Sequence, residues 1–336
     1  MNLDAGVAKK ILGSAYKNYR DALCKAIESE EPYLNRINRY VLSNEGKELR
    51  PILSLFMGMA CGTLNNISYC CAAATEMLHT ATLMHDDVAD NATMRRFSPT
   101  VGAKFSPAAA VLTGDFWLSR ALGLIIENCE KPTLSLFTKT ILDISQGELL
   151  QMDKAYSANT TEEDYNRIIY CKTAVLFKAA MLSGAYSVGA EELFCKAAAD
   201  YSIKLGMAFQ IRDDILDYSS DMNTGKDFGS DLKERKITLP LLGAMANSPK
   251  DEESIREKIR EIEELPNGAD SAGGGKTERV IAEIFEFVLS NKGIEYAQQR
   301  LEKYCIEAAE ALAPLPSSDA KNYLVGFAEY VGKRNV

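Results

Sequence analysis

The stretch Cys70–Asp90, CCAAATEMLHTATLMHDDVAD, mixes small and large apolar residues over nearly every face of a 3.6-residue helix and closes on three aspartates. A second stretch, Phe194–Asp217, FCKAAADYSIKLGMAFQIRDDILD, repeats the arrangement. A helix that is apolar all round must be wrapped by other helices, so both read as central members of a bundle. Working outward from them, helical periodicity runs through nearly the whole chain, and no strand-like alternation bounded by turns interrupts it. Helices are expected near 5–23, 31–43, 50–62, 67–91, 107–127, 133–154, 162–187, 191–221, 230–246, 250–264, 276–312 and 318–333. The predicted fold class is all-α, organised as a single domain, 1–336. One segment changes character: after a charged helix, ELPNGADSAGGGK is rich in Pro, Asn and Gly and predicts a mobile surface loop near 265–276.

The chain has 336 residues, with 38 Lys plus Arg against 47 Asp plus Glu, a net charge of −9. That acid excess argues against a nucleic-acid partner, whose binding proteins are normally basic. Hydrophobic residues at 46% and charged residues at 25% fit a globular protein with a large buried core. The eight cysteines contain no C-x-x-C pair and no nearby histidine grid, so a zinc site is not expected and the thiols read as reduced and buried. The N-terminal residues lack the apolar core of a secretory signal, which points to a cytoplasmic protein. The most apolar stretch is interrupted by Asp115 and Arg120, so no membrane-spanning helix is expected.

Asp86, Asp87 and Asp90 share the pattern D-D-x-x-D with Asp213, Asp214 and Asp217. Positions i, i+1 and i+4 fall within about 100° of a helix, so each motif projects its carboxylates from one side. Three like charges there are unfavourable unless a cation joins them. Hard oxygen donors suit Mg²⁺, which takes one or two carboxylates, several waters and phosphate oxygens. A lone motif reads as a solvated acidic helix end, whereas two with identical spacing on two core helices do not. The glycine and D-x-D-x-D spacing of an EF-hand loop are absent. Basic residues flank both motifs: Lys47 and Arg50 in NEGKELRP, Arg95 and Arg96 just after the first, Lys172 and Thr173 in YCKTAVLF, and Lys226 and Lys236 after the second. Together they read as sites for one metal-bound and one metal-free diphosphate.

The motifs GKELRP, LMHDDVADNATMRR, GELLQ, CKTA and FQIRDDILDYSSDMNTGKDFGSDLKERKITLP, in this order from Gly46 to Pro240, resemble those of the trans-isoprenyl diphosphate synthases, or polyprenyl synthetases. The resemblance implies a helical bundle around a deep central cavity, and a homodimer. It implies that Lys47, Arg50, His79 and Arg96 bind isopentenyl diphosphate. It further implies that Asp86, Asp87, Asp90, Asp213, Asp214 and Asp217 bind three Mg²⁺ ions, and that Arg95, Lys172, Thr173, Gln210, Lys226 and Lys236 contact the allylic diphosphate, with Lys172 and Lys226 counted among the catalytic residues. Without the family pattern His79 reads as a packed core histidine, and His85 stays structural. Three residues depart from the pattern: Glu48 where a basic residue is frequent, and Phe97 and Arg235 where Gly is usual. A glycine at Phe97 permits a backbone turn that aims Arg95 and Arg96, so this departure bears most on substrate binding.

The implied reaction is Mg²⁺-dependent head-to-tail condensation, in which the allylic C–O bond breaks and the double bond of isopentenyl diphosphate attacks the resulting cation. The residues one and two turns before Asp86, namely Ala81, Thr82, Leu78 and Met77, are expected to line the tunnel for the growing chain. A bulky aromatic near Ala81 stops growth early in this family, so the small Ala81 predicts an all-trans product longer than geranylgeranyl diphosphate. The alternatives are a short-chain farnesyl or geranylgeranyl diphosphate synthase, a class I terpene cyclase, which needs one diphosphate site, and a non-catalytic subunit of a heteromeric synthase, which is expected to lose Asp ligands.

Overall fold

The computed structural model describes residues 5–44, 46–218, 229–262 and 274–333. Lys226 and most of the loop expected near 265–276 lie outside the described residues. In chain order come α1 (Ala5–Leu12), α2 (Ser14–Ala26), α3 (Pro32–Ser43), α4 (Leu49–Cys61) and α5 (Asn66–Ala89). A short hairpin, β1 (Met94–Arg95) with β2 (Ser98–Pro99), precedes α6 (Val101–Lys104), α7 (Pro107–Asn128), α8 (Lys131–Ser157) and α9 (Glu162–Ile169). A π-helical turn, Tyr170–Ala174, leads into α10 (Val175–Ser187), followed by α11 (Glu192–Asp217), α12 (Ser230–Lys233) and α13 (Leu239–Asn247). The last elements are α14 (Glu252–Arg260), α15 (Gly274–Ser290), α16 (Gly293–Ala311) and α17 (Asp319–Lys333).

The all-α expectation holds, with the hairpin as a local addition. Three expected helices are broken, each at a residue with positive φ. Gly13 (φ 52°) separates α1 from α2, Arg235 (φ 56°) follows α12, and Lys292 (φ 54°) divides α15 from α16. A left-handed residue turns the backbone out of the i→i−4 ladder, and hydrophobic periodicity alone does not register it.

The chain packs as two compact units. The first comprises Met1–Thr140, Leu176–Ser202 and Ala309–Phe327. Its centre is α5, which packs against α7, α4 and α2. Asn65 starts α5 with a capping box shared with Ser68, and Ser106 caps α7 ahead of Pro107. Ala72, Ala73, Ala74 and Met77 are fully buried, as the all-round apolar pattern of α5 demands. Close approach of α4 and α10 depends on Gly184, where a Cβ would stand 2.3 Å from the Ser54 carbonyl oxygen. The Phe56 ring stacks on Tyr323 at 3.8 Å.

The second unit comprises Ile141–Val175, Ile203–Ala308 and Ala328–Val336. Here α13 packs on α15, and Arg256 of α14 donates to the Ala158 and Thr160 carbonyls. The π-helical turn is wedged between two glycines. A Cβ on Gly147 of α8 would lie 2.3 Å from Cys171 Cβ, and one on Gly206 of α11 would lie 2.6 Å from Ala174 Cα. A π turn inserts one extra residue into a helix and re-aims its side chains.

By length and composition two helical stretches, Pro107–Asn128 and Glu162–Ser187, are apolar enough to cross a membrane. The second buries 83% of that stretch inside the protein, as a core helix does. The first packs one face inward, with Trp117 Nε1 donating to Asn38 and Arg120 Nε to the Ala26 carbonyl. Its other face leaves Leu112 and Ile126 exposed.

Candidate active site

In the first unit Asp86 and Asp87 occupy the last turn of α5, and Asp90 is its C-terminal cap. Negative charge at a helix C-terminus opposes the helix dipole, so this arrangement is unfavourable on its own. Only Asp87 is buried, and it accepts from Arg95 Nε at 2.8 Å and Nη2 at 2.7 Å. Burial pushes its carboxyl above the usual range, and Arg95 opposes that shift. Asp86 is half-buried and Asp90 exposed.

The hairpin that delivers Arg95 is a two-residue turn. Met94 pairs with Pro99 and Arg95 with Ser98, leaving Arg96 (φ 50°) and Phe97 (φ 63°) as the central residues. Positive φ at both positions is what a type I′ hairpin requires, so the turn survives the loss of glycine. Phe97 is 83% exposed and gains no packing in return. Replacing it with Gly is therefore expected to stabilise the protein by about 1 kcal/mol, measured as a higher denaturant midpoint. An unchanged or lower midpoint would show that the turn is not strained. Arg235 holds the same left-handed conformation and donates from Nε to the Ile262 carbonyl at 2.7 Å.

Arg96 lies flat against Gly46, where a Cβ would come within 2.3 Å of its Nη1. The glycine of GKELRP thereby brings the loop carrying Lys47 up to Arg96. Arg50 donates from Nη1 to His79 Nε2 at 3.1 Å and lies over the Phe177 ring at 4.9 Å. Arginine can only donate, so His79 accepts through Nε2 and carries its proton on Nδ1. Burial, then the charges of Arg50, Arg96 and Arg95, holds the imidazole well below its usual pKa and keeps it neutral. The expected quartet Lys47, Arg50, His79 and Arg96 thus falls in one unit, with Arg50 bonded to His79 and Arg96 against the glycine next to Lys47.

A cavity in this unit is lined by His79, Asp87, Arg95 and Arg96 together with Leu23, Leu83, Met84 and Trp117. Met77, Leu78 and Ala81 are buried and Thr82 half-buried. None of these four lines that cavity. Ala81 instead shares the face of His85 four residues on, which abuts Gly114 of α7 and pairs with Asp115 at 3.3 Å.

Glu48, the third departure, is a structural anchor. Its buried carboxylate accepts from Tyr19 at 2.8 Å and Arg20 at 2.9 Å, and also from Lys9 and Tyr16.

In the second unit Asp213 is half-buried, while Asp214 and Asp217 are 3% and 5% exposed. Asp214 accepts from Tyr165 Oη at 2.6 Å and Gln210 Nε2 at 2.9 Å, and Thr173 Oγ1 donates to Gln210 Oε1 at 2.6 Å. Burial and the neighbouring Asp231 push the Asp214 carboxyl up to about 7, against the hydrogen bonds from Tyr165 and Gln210. Asp217 accepts from Ser230 Oγ at 2.8 Å and the Asp231 N–H at 3.3 Å. Lys172 pairs with Glu148 at 3.0 Å, and Lys236 pairs with Glu234. Lys172 and Thr173 both stand on the π turn, which places the CKTA motif beside Gln210.

Glu148 belongs to the GELLQ motif already noted, and Ser230 and Asp231 to the quoted segment ending in KITLP, though none of the three was marked as a site residue. Tyr165 carried no signal in the sequence, and its importance comes from tertiary placement alone. Among the described residues no three His, Cys, Asp or Glu side chains converge as a ready-made metal cage.

Comparison with known proteins follows the same lines. A family model described as polyprenyl synthetase matches residues 31–271. The chain is 35% identical over 311 residues to the octaprenyl diphosphate synthase of Haemophilus influenzae, covering 92% of this chain and 91% of that protein. Its fold is similar to the crystal structure of a decaprenyl diphosphate synthase from Rhodobacter capsulatus, with TM-score 0.88, 29% identity and coverage of 98% and 99% of the two chains. It is also similar to a polyprenyl synthase from Caulobacter crescentus complexed with calcium and isoprenyl diphosphate, with TM-score 0.87, 29% identity and coverage of 99% and 98%.

Proposed function

The chain belongs to the polyprenyl synthetase family and is a prenyltransferase that extends trans-polyprenyl diphosphates, and on that premise we propose which residues hold its substrates. One observation carries the assignment: in both D-D-x-x-D motifs the second Asp is buried and tied to partners within its own unit, while the first stays half-buried. Asp86, Asp90 and Asp213 are then the metal-facing carboxylates. Asp87, Asp214 and Asp217 hold the motif ends in place and complete the negative field. The donor set is wholly carboxylate, which fits three Mg²⁺ ions, and the calcium complex of the Caulobacter relative supports a divalent cation. When bound, Mg²⁺ supplies charge neutralisation of the departing diphosphate.

The chain's own residues do the rest. Lys47, Arg50 and Arg96 hold the isopentenyl diphosphate, with neutral His79 offering its Nδ1–H as a further donor. Arg95, Lys172, Thr173, Gln210 and Lys236, with Lys226 from the undescribed segment, contact the allylic diphosphate. Lys172 exchanges its Glu148 partner for phosphate oxygens. Apolar walls exclude water that would quench an allylic cation. The whole chain, 1–336, acts as one cytoplasmic synthase domain. The exposed Val111, Leu112 and Ile126 of α7, and Leu142, Leu149, Met152 and Tyr156 of α8, are the surfaces a homodimer would cover.

The test is incubation with labelled isopentenyl diphosphate and a series of allylic primers, with Mg²⁺ or EDTA, followed by product sizing. Products longer than geranylgeranyl diphosphate that vanish in EDTA are expected. Incorporation persisting in EDTA contradicts the metal assignment, and a ladder ending at farnesyl or geranylgeranyl diphosphate favours the short-chain reading. Replacing Ala81 with Phe should shorten the product, by filling the face of α5 that meets α7. An unchanged ladder removes Ala81 from the tunnel.

A further inference from the structure

The thiols expected to be buried are only partly so: Cys70, Cys71, Cys171 and Cys305 are, whereas Cys61, Cys129 and Cys195 are half-buried and Cys24 is exposed. Cys71, on the N-terminal half of α5, and Cys129, the residue that ends α7, place their Sγ atoms 3.6 Å apart. Cys71 is fully buried, whereas Cys129 is half-buried and lines an open surface cavity with Glu130, Thr133 and Tyr186. One thiol is therefore reachable from solvent, and the second lies directly behind it. Both belong to the first unit, and Cys71 stands about 22 Å before Asp86 along α5.

We propose that Cys71 and Cys129 form a peroxide-oxidisable dithiol, with Cys129 as the peroxide-attacking thiol and Cys71 as the resolving one. The contact between the two thiols, in which either sulfur can donate, holds the Cys129 thiol below its ordinary pKa against the effect of burial, and that contact together with burial pushes Cys71 up. That division of labour matches redox cysteines, where the attacking sulfur is exposed with thiolate character and its partner is protected. In the first step the Cys129 thiolate attacks one oxygen of a hydroperoxide. The O–O bond breaks, hydroxide leaves, and Cys129 becomes a sulfenic acid. In the second step the Cys71 sulfur attacks the Cys129 sulfur, its proton joins the departing hydroxide as water, and the S–S bond forms. Two thiols lose two electrons, and one hydrogen peroxide becomes two waters. The separation must contract to about 2 Å, a shift that falls on Cys129 where α7 ends.

The experiment uses the full chain. Reduced protein is treated with stoichiometric hydrogen peroxide, alkylated and digested, and the peptides are weighed. A Cys71–Cys129 cross-linked peptide is expected, lighter by two hydrogens than the sum of its parts and restored by dithiothreitol. Cys129→Ser should abolish it, while Cys24→Ser, at the exposed thiol on α2, should leave its yield unchanged. Full alkylation of Cys129 after peroxide, irreversible oxidation of Cys129 with Cys71 still reduced, or cross-linking of Cys129 to Cys70 or to another molecule would each overturn the proposal.

Discussion

Asp86→Asn and Asp213→Asn are each expected to lower the rate of chain extension by about 10²–10³-fold or more, the effect of removing a charged group that acts on the developing transition state. Neither variant should lower the melting temperature. Asp86 stands in the last turn of α5 and Asp213 just before the last turn of α11, where negative charge opposes the helix dipole and repels its motif neighbours, and neither is one of the buried carboxylates. Asp214→Asn is a different experiment. That carboxylate is buried and accepts from Tyr165 and Gln210, so its loss should lower both rate and stability. Parallel rate and melting measurements on the three variants separate the roles. If Asp213→Asn melts early, or if Asp86→Asn keeps full activity, the division into metal-facing and anchoring carboxylates is wrong.

The same division marks the limit of what the sequence could say. D-D-x-x-D spacing guarantees three carboxylates on one side of a helix, and the apolar run before each motif requires a core helix. Both properties are local, and both are found in α5 and α11. Which of the three points inward is decided by partners outside the helix: Arg95 on the first strand of the hairpin that follows α5 for Asp87, and Tyr165 from another helix for Asp214. Tyr165 sits in an ordinary amphipathic helix and could not have been singled out. The π turn at Tyr170–Ala174 was equally hidden, because one extra residue shifts the phase of a helix without changing its composition. Glycine substitutions were legible as departures but not in their outcome. Phe97 and Arg235 retain the positive φ that a glycine would have adopted, so the backbone path is kept and the strain is carried locally.

Glu48→Ala is expected to destabilise the protein by about 3–5 kcal/mol at neutral pH, the loss typical when one partner of a buried ionic cluster is removed. The Glu48 carboxylate receives Lys9, Tyr16, Tyr19 and Arg20, so its deletion strands the buried Tyr19 hydroxyl and leaves two cations without their counter-charge. Its pH dependence follows from the same contacts. Burial alone would raise its pKa, but the hydrogen bonds from Lys9, Tyr16 and Tyr19 outweigh it and hold the carboxyl below its ordinary range. A depressed folded-state pKa means stability that is complete above the unfolded glutamate value, about 4.3, and is lost as pH falls through the lower folded value. The stability difference between the native chain and Glu48→Gln, from urea denaturation, should therefore be constant from pH 7 to 5 and shrink below pH 4. A difference that grows on acidification would reverse the sign and rule out the ionised cluster. Glu48 also precedes α4, between Lys47 and Arg50, at a left-handed residue whose side chain those four partners hold in place. Releasing it should raise the KM for isopentenyl diphosphate more than it lowers kcat, because the basic residues that it positions bind the substrate and do not act on the allylic C–O bond.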